Sequence, residues 1–145
     1  MIALHISFRL MSIQDYDTIL SLWQAAEGVG LSAADERTAI ARYLERNPGL
    51  SFTAWEGELL VGAVLCGHDG RRGFIHHLAV AESHRRQGVG GMLVEQCLAG
   101  LRQEGIDKCH LFVYRRNTSA QAFWEEIGWT RRDDLHIMSR TLTLP

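Results

Sequence analysis

The sequence predicts an α+β fold: a mixed central β-sheet, splayed between its fourth and fifth strands and flanked by helices, in the order β-α-α-β-β-β-α-β-α-β over a single domain, residues 1–145. Three observations predict it. Two amphipathic stretches precede three consecutive β-rich runs separated by short turns, the pattern of an antiparallel meander. A long helical apolar pattern then leads to a further alternating run, as a crossover between parallel strands requires. No linker, internal repeat or low-complexity segment interrupts the chain.

Taken in order, His5–Leu10 alternates apolar and polar residues and forms the first strand. Ser12 with Asp15 has capping-box spacing and opens a helix carrying Ile13, Ile19, Leu20, Leu22 and Trp23, which Gly28 and Gly30 stop. Ser32 with Asp35 repeats the signal for a second helix through Ile40, Tyr43 and Leu44, ended by Asn47-Pro48-Gly49. Leu50–Trp55, Leu59–Gly67 and Gly73–Val80 are the meander, turning at Glu56-Gly57-Glu58 and His68-Asp69-Gly70. After a polar hinge at Glu82–Arg86, the helix Gly88–Gln103 places Val89, Met92, Leu93, Cys97, Leu98 and Leu101 on one face and ends at Gly105. Lys108–Tyr114 is a strand, Asn117–Ile127 a helix capped by Asn117 and closed by Gly128, and Leu135–Leu144 the last strand.

Composition excludes several classes. With 46% hydrophobic and 22% charged residues and two prolines, the chain is neither collagen-like, mucin-like nor disordered. Fifteen Lys and Arg against 17 Asp and Glu leave a net charge of −2, so no overall basic field draws it to nucleic acid. The Arg-Arg pairs at 71–72, 85–86, 115–116 and 131–132 are read as solvated faces, with a basic rim for a phosphate as their functional alternative. Cys66, Cys97 and Cys109 lie in apolar runs without metal or CxxC spacing and read as buried thiols. His68, His76, His77 and His84 likewise lack a ligand pattern, and no metal is expected. Thiol usage, an N-terminus without signal-peptide features and the lack of a run near the roughly 18 apolar residues of a membrane span lead to the expectation of a cytoplasmic protein without membrane partners.

The chemistry is concentrated in Leu78-Ala79-Val80 through Arg85-Arg86-Gln87-Gly88-Val89-Gly90-Gly91-Met92: a strand end, a basic turn, a glycine cluster and a helix start. Glycines allow close backbone approach, and the free N–H groups and positive dipole end of a helix favour an anion such as a pyrophosphate. A P-loop would need GxxxxGK, which is absent, and a dinucleotide fingerprint would need a third glycine where Leu93 stands.

Arg85, Gly88 and Gly90 instead match Arg/Gln-x-x-Gly-x-Gly/Ala, and with Leu78 and Val80 before them the segment resembles the GCN5-related N-acetyltransferase (GNAT) family. Asn117-x-x-Ala120-x-x-Phe123-Trp124-x-x-x-Gly128-Trp129 resembles the family's second block, so the resemblance covers nearly the whole chain. It implies direct transfer of acetyl from acetyl-CoA to a primary amine of a small molecule or protein, in a ternary complex. It also implies that the amides of Gln87, Gly88, Val89, Gly90, Gly91 and Met92, with Arg85 and Arg86, hold the pyrophosphate. By the same resemblance, the backbone of Leu78, Ala79 and Val80 pairs with pantetheine, and Asn117, Ala120 and Phe123 contact the cofactor further along. A homodimer is left open.

Two positions depart from the family. The tyrosine acid of many members is replaced by Trp124, whose indole cannot release a proton near neutral pH, and the glutamate base of N-terminal acetylating members is replaced by Phe112. His76, two and four residues before Leu78 and Val80, is expected on their face as the base, as a strand histidine is in the similar arylalkylamine acetyltransferases. Adjacent His77 is expected to face the other way, and Tyr114 is the candidate acid. Glu27, Asp35 and Glu36 are read as solvated helix ends. The alternative to an enzyme is a catalytically degenerate acetyl-CoA-binding module.

Overall fold

The computed structural model describes residues 5–145, which gather into two compact units, one ending at Phe112 and the other comprising Val113–Pro145. In the first unit β1 (Ile6–Leu10), α1 (Tyr16–Ala25), α2 (Arg37–Arg46), β2 (Phe52–Glu56), β3 (Leu59–His68), β4 (Gly73–Val80), α3 (Val89–Gln103) and β5 (Cys109–Leu111) follow in chain order. The second unit holds α4 (Thr118–Glu126). The sheet runs β1-β2-β3-β4-β5, antiparallel throughout except that β5 lies parallel to β4. The long crossover through α3 is what permits that parallel pair.

Both early helices start later than the capping residues suggest, because those residues serve 3-10 turns first. Ser12 Oγ accepts the Gln14 amide over the turn Ile13–Asp15, and α1 begins only at Tyr16. The Ser32–Asp35 box closes, with the Ser32 N–H donating to Asp35 Oδ2 at 3.0 Å, yet it spans the turn Ala33–Asp35 and α2 starts at Arg37.

The two faces of the sheet bury separate sets of side chains. Met11, Tyr16, Ile19, Trp23 and Ile40 from the α1 and α2 side close over Trp55, Leu60, Ala63, Leu65 and Ala79. On the opposite face α3 buries Val89, Leu93, Val94, Cys97 and Leu101. Its approach is close: an added Cβ at Gly62 would stand 2.9 Å from Leu93 Cδ1. Fully burying one such aliphatic side chain contributes about 1.5–3 kcal/mol, so each face holds its helices through apolar burial.

Two strand expectations are corrected. Of Lys108–Tyr114 only Cys109–Leu111 is in the ladder. Leu135–Leu144 forms no strand, and its apolar side chains are exposed, Met138 at 93%. The physical reason is register: the apolar positions change parity between Ile137 and Met138, so no single face collects them and alternation alone does not supply a ladder partner.

Candidate active site

The parallel pairing of β4 with β5 is short, joining Gly73, Phe74 and Ile75 to Cys109, His110 and Leu111. Beyond Ile75, the edge of β4 that faced β5 is left without a ladder while its other edge stays paired to β3. A fork therefore opens at His76, as the expected splay requires.

At the mouth of the fork β4 carries a bulge. Leu65 pairs with His76 and Ala63 with Ala79, so two residues of β4, His77 and Leu78, stand opposite Val64 alone. His77 takes φ 54, a left-handed conformation uncommon for a residue with a side chain. The extra residue breaks strand alternation and corrects two expectations. His76 shares its face with Ala79, on the α1–α2 side, and not with Val80, which pairs with Gly62 toward α3. His77 does not face away: its ring lies edge-on to Trp23 at 5.2 Å and is 6.4 Å from the ring of His76.

The two imidazoles have different surroundings. His76 is half-buried among rings, stacked on Phe74 at 6.5 Å, edge-on to Tyr43 at 6.2 Å and tilted against Phe112 at 6.4 Å. Burial, and then the neighbouring His77, hold His76 below the ordinary imidazole range, against a smaller opposing effect of Asp35. His77 Nε2–H donates to Asp35 Oδ1 at 2.8 Å. Asp35 is buried, contrary to the expected solvated helix end; its Oδ2 accepts the Ser32 amide, and its carbonyl accepts the Tyr16 hydroxyl at 2.6 Å. A carboxylate removed from water requires such partners. On the same face Trp23 Nε1 and Tyr43 Oη are buried without a hydrogen-bond partner among the described residues.

The glycine segment lies beside the end of β4. Arg85 Nε donates to the Val80 carbonyl at 3.0 Å, fixing the turn to the strand. Arg86 adopts φ 63 and Gly88, the residue that caps α3, φ 84. The first helical bond of α3 runs from the Met92 amide to the Gly88 carbonyl at 3.1 Å, leaving the N–H groups of Val89, Gly90 and Gly91 without intrahelical partners. A Cβ added at Gly91 would meet open space within 4 Å. Donors, dipole and room together suit a phosphate-bearing ligand.

Behind the turn, His84 is buried, with Nε2 3.3 Å from Glu56 Oε1 and Nδ1 2.7 Å from Ser83 Oγ; His5 also bonds Glu56. Cys66 and Cys97 are buried and Cys109 half-buried; burial pushes the Cys109 thiol up to about 12. Among the described residues no group of three or more His, Cys, Asp or Glu is arranged to hold a metal ion, and no helix is long and apolar enough to cross a membrane.

The second unit contains the other sequence candidates. Asn117 Oδ1 accepts the Ala120 amide at 3.1 Å, the expected cap of α4. Phe123 meets Trp124 edge-on at 5.2 Å, and Trp124 meets Trp129 at 5.0 Å. Tyr114 is 46% exposed, with the Arg116 guanidinium 4.5 Å over its ring and the Gln121 amide donating to its carbonyl.

Comparison with known proteins defines the class. The sequence profile of the acetyltransferase (GNAT) family matches residues 16–129. An acetyltransferase of Pectobacterium atrosepticum is 25% identical over 134 residues, covering 92% of this chain and 94% of that protein. Two solved structures share the fold. The aminoglycoside 6'-N-acetyltransferase of Acinetobacter haemolyticus has a TM-score of 0.77 at 17% identity, covering 94% of this chain and 99% of that one. A chain of the NatC complex bound to Gag peptide and CoA has a TM-score of 0.75 at 22% identity, covering 90% and 87%. The chain belongs to the GNAT acetyltransferase family.

Sequence reasoning missed the pairing of Asp35 with His77 and the aromatic surroundings of His76. Ser32–Asp35 was visible only as a cap, and no local pattern announces that its carboxylate crosses to β4.

Proposed function

We propose that this chain is an acetyl-CoA-dependent N-acetyltransferase that passes an acetyl group directly to an amine. The observation that carries the proposal is the open edge of β4 after Ile75, adjoining the glycine-capped start of α3. An extended pantetheine arm could pair along Leu78, Ala79 and Val80 as an added strand. The N–H groups of Gln87, Gly88, Val89, Gly90 and Gly91, the last three without intrahelical partners, would receive the pyrophosphate, with Arg86 supplying charge; the Met92 N–H, expected among these donors, is instead taken up by the Gly88 carbonyl. Arg85 acts chiefly by holding the turn against Val80. Asn117, Ala120 and Phe123 remain cofactor contacts by resemblance.

In the reaction, the amine nitrogen attacks the thioester carbonyl, whose oxygen is polarised by an N–H of the Leu78–Val80 segment. The tetrahedral intermediate collapses, the C–S bond breaks and the thiolate takes a proton. Attack requires a neutral amine, and an imidazole at the fork is the group able to take its proton near neutral pH. His76 is one candidate for that role and Tyr114 the candidate donor to the thiolate. Relatives whose names mention aminoglycoside or peptide support an amine acceptor without selecting between small molecule and protein.

The test is thiol release from acetyl-CoA with polyamines, amino acids, aminoglycosides and N-terminal peptides. Amine-dependent release is expected. Tight acetyl-CoA binding without turnover on any acceptor would favour the degenerate binding module that Phe112 and Trp124 suggest.

A further inference from the structure

We propose that His77, oriented by Asp35, is the general base of this site, and that His76 is a contact residue for the acceptor. The inference rests on the acetyl-transfer reading above and adds the identity of the group that takes the amine's proton.

Three features single out His77. The first is orientation. Asp35 is acceptor-only when ionised, so the bond at 2.8 Å places a proton on Nε2 of His77 and leaves Nδ1 with its lone pair. That nitrogen has no hydrogen-bond partner among the described residues and is not among the buried unsatisfied atoms, while the side chain as a whole is only 17% exposed. A neutral imidazole with one nitrogen tied to a buried carboxylate and the other accessible is the arrangement that holds a base in the correct tautomer and stabilises the imidazolium that forms.

The second feature is the bulge. A regular strand would have sent His77 to the α3 face; the left-handed residue at φ 54 brings it onto the face of His76 and within two residues of the fork. Such backbone conformations persist where the surroundings over-determine them, here through Trp23 against the ring and Asp35 at its nitrogen.

The third feature is contrast. Among the described residues His76 has no hydrogen-bond partner to fix a tautomer or share a positive charge, and it sits among Tyr43, Phe74 and Phe112. It offers an apolar, planar surface to whatever carries the amine. The proton balance is simple: the neutral amine attacks, an N–H bond of the resulting tetrahedral adduct breaks, and its proton passes to Nδ1 while Nε2–H keeps its bond to Asp35.

The carboxylate also supplies a specific test. Both oxygens of Asp35 accept, one from Ser32 and one from His77. In Asp35→Asn only one acceptor oxygen remains; if it keeps the Ser32 amide, the new NH2 donates to His77 Nε2 and moves the imidazole proton to Nδ1. Long-range ¹H–¹⁵N correlation of the imidazoles, without substrate, should show the Nε2–H tautomer of His77 in wild type and the Nδ1–H tautomer in Asp35→Asn. With an accepted amine, His77→Ala and Asp35→Asn should each lower kcat/KM by about 10²–10⁴-fold. Acetyl-CoA affinity by calorimetry should stay within about threefold, and His76→Ala should act mainly on the acceptor's KM. A wild-type Nδ1–H tautomer overturns the pairing. Correct tautomers with His77→Ala as active as wild type overturn the base assignment alone, and a wild type that transfers acetyl to no amine overturns it together with the reading beneath it.

Discussion

Gly67 offers a test of how tightly the α2 side of the site is built. It lies on β3 opposite Phe74, and an added Cβ would stand 2.6 Å from Tyr43 Oη and 2.7 Å from Asn47 Cγ and Nδ2. Neither neighbour can retreat cheaply. Asn47 Oδ1 accepts the His68 amide at 3.0 Å and its Nδ2 donates to the Tyr43 carbonyl at 3.2 Å, while the Tyr43 hydroxyl is enclosed. Overpacking of this kind costs about 1–3 kcal/mol, and loss of one Asn47 bond adds about 0.5–1.5 kcal/mol. The reduced entropy of the unfolded chain returns only about 0.4–1 kcal/mol. Gly67→Ala should therefore destabilise by about 1–3 kcal/mol, lowering Tm by roughly 3–10 °C for a chain of this size. Urea and thermal melts followed by circular dichroism measure it. Tyr43→Phe, which removes the nearest clashing atom and an unpartnered hydroxyl, should recover part of the loss in the double mutant. Gly91→Ala, where the Cβ meets open space, should cost nothing. Gly67→Ala within 0.5 kcal/mol of wild type, or a strictly additive double mutant, would refute the argument.

Three further outcomes are expected. Gly90→Val should weaken acetyl-CoA binding more than tenfold by calorimetry while circular dichroism stays native, because a branched side chain in the first turn of α3 would limit close approach of a ligand to the backbone N–H groups there; unchanged affinity would remove the pyrophosphate site. Substituting Arg86 or Arg116 by Ala should reduce the preference for coenzyme A over 3'-dephospho-coenzyme A, by about 1–3 kcal/mol if the contact is charge-assisted and partly buried; if neither changes it, both are ordinary surface charges. Glu56 is held below its ordinary value of 4.5, first by the His5 hydrogen bond and then by that of His84. Its lowered folded value means that its contribution is present above about pH 4.5 and is lost as pH falls through the folded value, so Glu56→Gln should be less stable than wild type at neutral pH and converge with it in acid melts.

Much of this protein is written locally. The meander, the crossover helix, the glycine-capped start of α3 and the Asn117 cap of α4 each depend on neighbours within a few residues: apolar period, a glycine with positive φ, a side chain reaching its own helix. That is why the family resemblance and the glycine-rich helix start were legible from residue order. Strand alternation was also legible, but it assigns faces only while the ladder is regular. One extra residue at His77 and Leu78 reversed the assignment for both histidines, and the parity change at Ile137 and Met138 left an alternating segment without a ladder. The bond from His77 to Asp35 spans 42 residues, and the rings around His76 come from α2 (Tyr43), from β4 itself (Phe74) and from Phe112, just past the end of β5. Whether a carboxylate ends as a solvated cap or as the buried partner of an imidazole depends on which strand crosses beside it. Local sequence determined the fold and the glycine-rich start of α3, and only the packing of α1 and α2 across the bulged strand decided which imidazole pairs with a buried carboxylate.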